Sequence, residues 1–319
     1  MSVCRFKKML WCSINISTIF ILCSSPSYSE EKVIFKFNPP DGISYRQMYS
    51  AEQIKDFGGI KKQINLTEET VKVVIKKDEK GYLLMAKPFL VTMTRDGHLV
   101  PESNLKLMLG INYVLHLDAK GLFLNIDGFE EFVNILKAEL PEDIAKEALK
   151  NINVEAMIDK EEDEYSNRIG DLIGREIKVG DTWYMDGKSI LPDGNTVDYT
   201  SVYRLKEMVS CGATRCAKIE YHYDANPAGL RTIINEFYTG LDEKMGERLR
   251  GMNSVDTKFF GNGTRLVDPK TMLIYLEDMH EVTEVPMTLA NNAKISMMLT
   301  ENKHYGYKYD QSGETKDEY

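Results

Sequence analysis

Arg175-Glu-Ile-Lys-Val-Gly-Asp-Thr-Trp183 closes a helical run and opens a new series of strands, and its reading decides the fold. Gly180-Asp181 is a turn dipeptide, because glycine accepts a positive φ and aspartate hydrogen-bonds nearby backbone. Thr182 and Trp183 then begin a period-2 pattern. On either side of this stretch the sequence reads as the same kind of β-rich unit.

Upstream, Val33-Ile-Phe-Lys-Phe37 alternates, and Asn38-Pro-Pro-Asp-Gly42 breaks the pattern with turn residues. Residues 43–50, 62–76 and 82–94 follow as strands, separated by Gly58-Gly59 and Asp78-Glu-Lys-Gly81. Pro88 places the third of these at an edge or a bend. Residues 113–117 and 122–126 form a hairpin around Asp118-Ala-Lys-Gly121. The period then becomes helical. Asp127 with Glu130 has the form of a capping box, and Phe129, Phe132, Val133 and Leu136 share one helix face. Pro141 opens a second helix, and Met157, Ile158, Tyr165, Ile169 and Leu172 mark a third. Inside the third, Asp159-Lys-Glu-Glu-Asp-Glu164 reads as a solvated face, since it lacks the Asp/Asn-plus-Gly spacing of a calcium loop.

Downstream, Pro192-Asp-Gly-Asn195 is a turn before a long strand, 196–209, whose hairpin partner is 216–223. A weaker helical stretch covers 241–252. Residues 255–260 and 265–267 read as strands around a Gly261-Asn-Gly263 turn. Strands at 272–280, 282–289 and 294–309 follow, the last two around Asn291-Asn292. A polar tail, 311–319, has nothing to bury and is expected to be mobile.

Two turns repeat in order. Asp118-Ala-Lys-Gly-Leu122 matches Asp268-Pro-Lys-Thr-Met272, with Asp first and Lys third between apolar strands. The hairpin pair 71–75 and 82–86 likewise matches 203–209 and 217–221. The expected fold is therefore a β-dominated α+β class: two duplicated, strongly curved antiparallel sheet units bridged and covered by helices. The expected divisions are a signal peptide at 1–29, an N-terminal β unit at 30–127, a helical bridge at 128–174, a C-terminal β unit at 175–310 and the tail.

The compartment is read from the first residues and the cysteines. Arg5, Lys7 and Lys8 precede an apolar run, 9–23, and Ser27 and Ser29 are the small residues before a cut after Ser29. Losing those three cations moves the net charge from −9 to −12. Such a balance disfavours nucleic-acid partners, whose phosphates need a basic face. Cys4, Cys12 and Cys23 leave with the signal. Cys211 and Cys216 remain, flanking a short turn between strands, and read as a structural disulfide in an oxidising periplasmic or envelope compartment. No other segment is apolar and long enough to span a bilayer as a helix.

Chemistry is sparse. The five histidines show no zinc spacing, and there is no phosphate loop, dinucleotide fingerprint or Cys-x-x-Cys. His222 and Asp224 share a strand face and could orient a base, yet no nucleophile motif accompanies them. No catalytic residue, metal site or cofactor is expected. Methionine is abundant, 16 in the chain, and adapts to irregular apolar shapes in cores and binding surfaces alike.

The run Ile177-Lys-Val-Gly-Asp-Thr-Trp183, after a helical bridge and before a long hairpin, resembles a Val-Gly-Asp-Ser/Thr-Trp segment in a group of exported bacterial β-rich proteins of unassigned function. That resemblance implies export and a β-rich fold and brings no catalytic residues. By architecture alone, curved strands covered by helices are also similar to the half-barrels of bacterial lipoprotein carriers. The function expected is that of an exported, non-enzymatic envelope protein holding an apolar or amphiphilic, lipid-like ligand between sheet and helices. Phe129, Phe132, Val133 and Leu136 are the candidate lining. The alternative is an interaction module that meets a partner envelope protein through its sheet edges.

Overall fold

In a computed structural model, the residues described are 31–57, 59–101, 111–150, 152–190, 196–225, 258–288 and 294–310, together with Leu105 and Leu109. The expected signal peptide, the 192–195 and 291–292 turns, the 241–252 helix and the tail lie outside them.

The first strand, β1 (Lys32–Ile34), pairs with β8 (Glu176–Lys178) in a two-stranded ladder of its own. The other strands are β2 (Ser44–Phe57), β3 (Ile60–Lys77), β4 (Gly81–Arg95), β5 (His98–Leu99), β6 (Tyr113–Asp118) and β7 (Phe123–Asp127). Past the helices come β9 (Thr182–Ile190), β10 (Thr196–Cys211), β11 (Thr214–Ala225), β12 (Lys258–Val267), β13 (Ile274–Thr288) and β14 (Lys294–Tyr309). All these pairings are antiparallel. They make one open sheet in the order β7-β6-β4-β3-β2-β14-β13-β12-β11-β10-β9, with β5 added to β4. The strands of both halves thus lie in a single sheet, joined where β14 pairs β2 from Met297↔Phe57 to Tyr309↔Tyr45. On each side of that seam the strands form a meander.

Three helices lie between β7 and β8: α1 (Phe129–Glu139), α2 (Glu142–Lys150) and α3 (Val154–Arg168), followed by a 3-10 turn, Gly170–Leu172. α3 touches both β7 and β9, the two ends of the sheet path. A sheet whose opposite edges reach one helix is strongly curved, and α3 lies along its concave side. Apolar residues of both halves line that side below it: Ile75, Leu84 and Leu117 from one half, Leu205, Ile219 and Val267 from the other. Phe35 and Phe37, just after β1, fill the floor.

The Gly180-Asp181 corner behaves as its sequence reads. Gly180 takes a φ of 96°, and Asp181 accepts from the Lys178 amide at 3.0 Å. The Gly180 amide donates to Leu205 O (2.7 Å) while the Leu205 amide donates to Asp181 O (3.1 Å), fixing the corner against β10. Trp183 stacks on Tyr203, with ring centroids 5.5 Å apart. The two Asp-x-Lys turns are built alike: the Asp118 carboxylate accepts from the Lys120 and Leu122 amides, and that of Asp268 from the Lys270 amide and the Thr271 hydroxyl. Cys211 and Cys216 form the expected disulfide at the β10–β11 turn.

Four local expectations need correction. Gly261-Asn-Gly263 is not a turn but the middle of β12. Its glycines lie beneath the rings of Tyr223 and Tyr221 from β11, where any β-carbon would overlap an aromatic atom. Residues 272–280 and 282–289 are not two strands, since β13 runs unbroken through Glu281. Asp127 caps no helix. It ends β7 and takes His116 at 2.7 Å, while Gly128, at a φ of 119°, turns the chain into α1 without a side-chain cap. Asp159–Glu164 is not wholly a solvated face, because Glu161 lines a cavity under α3. Pro88 does mark a bend: the β3–β4 register slips between Thr70 and Val71 beside it, beyond the last β6 pair.

Candidate ligand-binding site

α3 divides the concave face into two recesses. Asn153 starts the helix by accepting from the Ala156 amide at 3.2 Å, as an N-cap does. Residues 157, 161, 165 and 168 then fall on one stripe by the helical repeat, so Tyr165 and Arg168 carry Glu161 with them toward the sheet.

The end of α3 is fixed by charge. Arg168 donates to Glu277 through Nε at 2.9 Å and to the Tyr307 hydroxyl through Nη2 at 2.6 Å. Arg265 donates to the other Glu277 oxygen through Nε at 2.9 Å and Nη2 at 2.5 Å, and to the Arg168 carbonyl. Tyr221 donates to the same carboxylate at 3.1 Å. Burial alone would push Glu277 up, but the Arg168 and Arg265 guanidiniums outweigh it and hold the carboxyl down at about 2. Nearby, Lys303 bridges Glu281 and Glu301, and Tyr223 donates to Glu281. Three cations therefore face three carboxylates in this half. A cavity of about 230 Å³ opens beside them, lined by Tyr199, Tyr203, Tyr223, Phe259, Met279 and Tyr305 among others.

The opposite recess, about 160 Å³, has an apolar floor that includes Phe37, Val73, Ile75, Leu84 and Leu115. Glu161, Glu164 and Arg168 stand at its helix side. Glu164 pairs with Lys160 at 3.5 Å, and Arg168 is committed to Glu277. Glu161 has no hydrogen bond or ion pair among the described residues. Burial, then the like charge of Glu164, push its carboxyl up to about 7, against the pull of Lys160 and Arg168. Glu69 on β3, also without such a bond among the described residues, is raised by burial too. Both act on one tyrosine, Tyr113 of β6, which burial and these two carboxylates push up to about 12.

The four expected lining residues all fall on α1. Phe129 and Leu136 are buried, Phe132 and Val133 half-buried, and Phe129 meets the Tyr113 ring at 5.3 Å. None of them lines either recess. His222 and Asp224 do meet, at 3.0 Å, but both are exposed, and no hydroxyl bonds to His222 among the described residues. Among the described residues no group of three or more His, Cys, Asp or Glu could hold a metal, and no helix is long and apolar enough to cross a membrane.

No protein-family model and no curated protein matches the chain. Solved structures match over most of its length at low similarity. A protein of Parabacteroides distasonis ATCC 8503, described as a candidate lipoprotein, is 10% identical over 84% of this chain and 97% of its own, with a TM-score of 0.26. A candidate exported protein of Bacteroides fragilis NCTC 9343, described as having a YmcC-like fold, is 13% identical over the same shares, with a TM-score of 0.25. DynF, from the dynemicin biosynthesis pathway of Micromonospora chersina, is 8% identical over 88% of this chain and 86% of its own, at 0.18. Likeness at that level says nothing of activity or ligand.

Proposed function

We propose that this is an exported, non-enzymatic envelope protein that holds an amphiphilic molecule on the concave face of its sheet, under α3. The observation that carries the reading is that the concave face is not filled. Recesses of about 230 and 160 Å³ flank the helix, walled by aromatic and aliphatic side chains with a few convergent polar groups. That combination is what small-molecule sites present. α3, rather than the α1 face with Phe129, Phe132, Val133 and Leu136, is the covering element in this proposal. Export rests on the basic start, the short apolar run and the disulfide. The two meanders are read as copies of one unit, on their shared hairpin order and their two like Asp-x-Lys turns. Native mass spectrometry of protein purified from the envelope should show a copurifying small molecule, and delipidated protein should bind a fluorescent amphiphile saturably. No saturable binding of anionic, cationic or neutral amphiphiles would sink the carrier reading.

A second reading, pairing through sheet edges, is favoured by one observation. β7 and β9 each pair on one side only among the described residues, and carry Leu124 and Tyr184 exposed at 57% and 70%. Concentration-dependent pairing that stops when Tyr184→Lys is introduced would favour it.

A further inference from the structure

We propose that the smaller recess selects a positively charged ligand: an organic ammonium with a short apolar body, its cation beside Glu161 and its body on the Phe37–Ile75–Leu84 floor. This deepens the carrier reading and rests on it.

On the far side of α3, Arg168, Arg265 and Lys303 are met by Glu277, Glu281 and Glu301 through direct ion pairs. Lys160 and Glu164, which pair with each other, and Asp163 also line that recess, whose guanidiniums and Lys303 amine are thus already matched by carboxylates. On the near side, Glu161 lines the cavity without an ion pair or hydrogen bond among the described residues, and the one guanidinium present, Arg168, is already spent on Glu277. A half-buried carboxylate held over an apolar floor costs free energy until a cation or proton meets it.

The negative charges of Glu161 and of Glu69 on β3 both act on Tyr113 of β6, and Tyr45, Tyr307 and Tyr309 line the cavity with Glu161. From its own helix Glu164, Lys160 and Arg168 act on it, with Lys160 engaged by Glu164. Tyrosine rings and carboxylates together favour ammonium over carboxylate groups, since a cation gains at a ring face, the negative pole of the aromatic quadrupole, and an anion does not. A dry cavity of about 150 Å³ holds one benzene ring, so the recess takes an aryl group or a short alkyl segment, not a whole lipid chain.

The ammonium could be a free amine or a lipid headgroup. Calorimetric titration of delipidated protein with octylammonium, octanol and octanoate separates the charge from the chain. At pH 8 octylammonium should bind at least about tenfold more tightly than octanoate. Its affinity should fall between pH 8 and pH 6, because Glu161 takes a proton there while the amine stays charged. Glu161→Gln should cost octylammonium about tenfold and leave octanol unchanged, with a cooperative thermal transition showing that the variant is folded. Glu69→Gln should give a smaller loss. Tighter binding of a short-chain phosphatidylethanolamine than of octylammonium assigns the site to a headgroup, and the reverse order to a free amine; either supports the charge selection. Octanoate binding as tightly as octylammonium, or octylammonium binding unchanged by Glu161→Gln, would overturn it and leave the carrier reading standing.

Discussion

The two sides of α3 are built from the same residue types and do opposite things with them. Toward β12–β14, every carboxylate in the described network has a cationic partner, the Tyr221 and Tyr223 hydroxyls donate to Glu277 and Glu281, and the Tyr307 hydroxyl accepts from Arg168. Toward β3–β6, carboxylates stand beside tyrosines with no such partner. A buried ion pair is weak evidence for net stability, but a network that closes on itself rigidifies, and one left open keeps a charge for another partner. The difference gives one side of the helix an anchor and the other the recess of the proposal above.

The comparison breaks most visibly at Glu277. Glu277→Gln strands Arg168 and Arg265 and should cost about 3–5 kcal/mol of stability, measured by urea denaturation at pH 7. The sign of the pH dependence follows from a folded pKa near 2, below the ordinary carboxylate value of 4.5. Its contribution is complete above the unfolded value and is lost as pH falls from 4.5 through about 2. Wild type should therefore lose stability over that window, and the glutamine variant should not lose this part. A cost under about 1 kcal/mol would mean that the anchor is not one.

Glu161 should show the opposite sign. Its folded pKa, near 7, lies above the ordinary 4.5, so the folded protein holds the proton more tightly than the unfolded chain. Stability from this group is then lost as pH rises from about 4.5 through 7. Glu161→Gln should stabilise the unliganded protein by about 3 kcal/mol at pH 8 and by almost nothing at pH 4.5. Thermal unfolding at the two pH values decides it, and a variant less stable at pH 8 would contradict the uncompensated charge.

The smallest effect is expected at Trp183. Its indole Nε1 is buried without a partner among the described residues, so Trp183→Phe removes area but no hydrogen bond. The loss should stay within about 1.5 kcal/mol, and octylammonium titration should be unaffected, since Trp183 lines neither recess.

The sequence made the β class, the disulfide, the Gly180-Asp181 corner and both Asp-x-Lys turns legible, because each is local. Period 2, a short Cys spacing and turn residues act within a few positions. What it hid is what depends on partners far along the chain. Gly261 and Gly263 look like turn residues until Tyr221 and Tyr223 are seen lying across them. Glu161 looks solvated inside an acidic run. The signal was nonetheless present: Met157, Glu161, Tyr165 and Arg168 share a helical stripe, and a carboxylate on the apolar stripe of an amphipathic helix is the one that will be buried. The expected site on α1 followed the larger aromatic residues, which became contacts with β6 and the neighbouring helices.

The β2–β14 seam carries a consequence for how the chain acquires its shape in time. Ser44 donates to Asp310 across 266 residues, and the whole length of β2 waits on β14 for one of its neighbours. Contacts between the two ends of a chain are the slowest to form, because their loop-closure entropy must be met before any ladder rewards it. The joined sheet therefore cannot exist until β14 has been synthesised. Until then the concave face lacks one of its middle staves, and α3 has no complete cradle in which to settle.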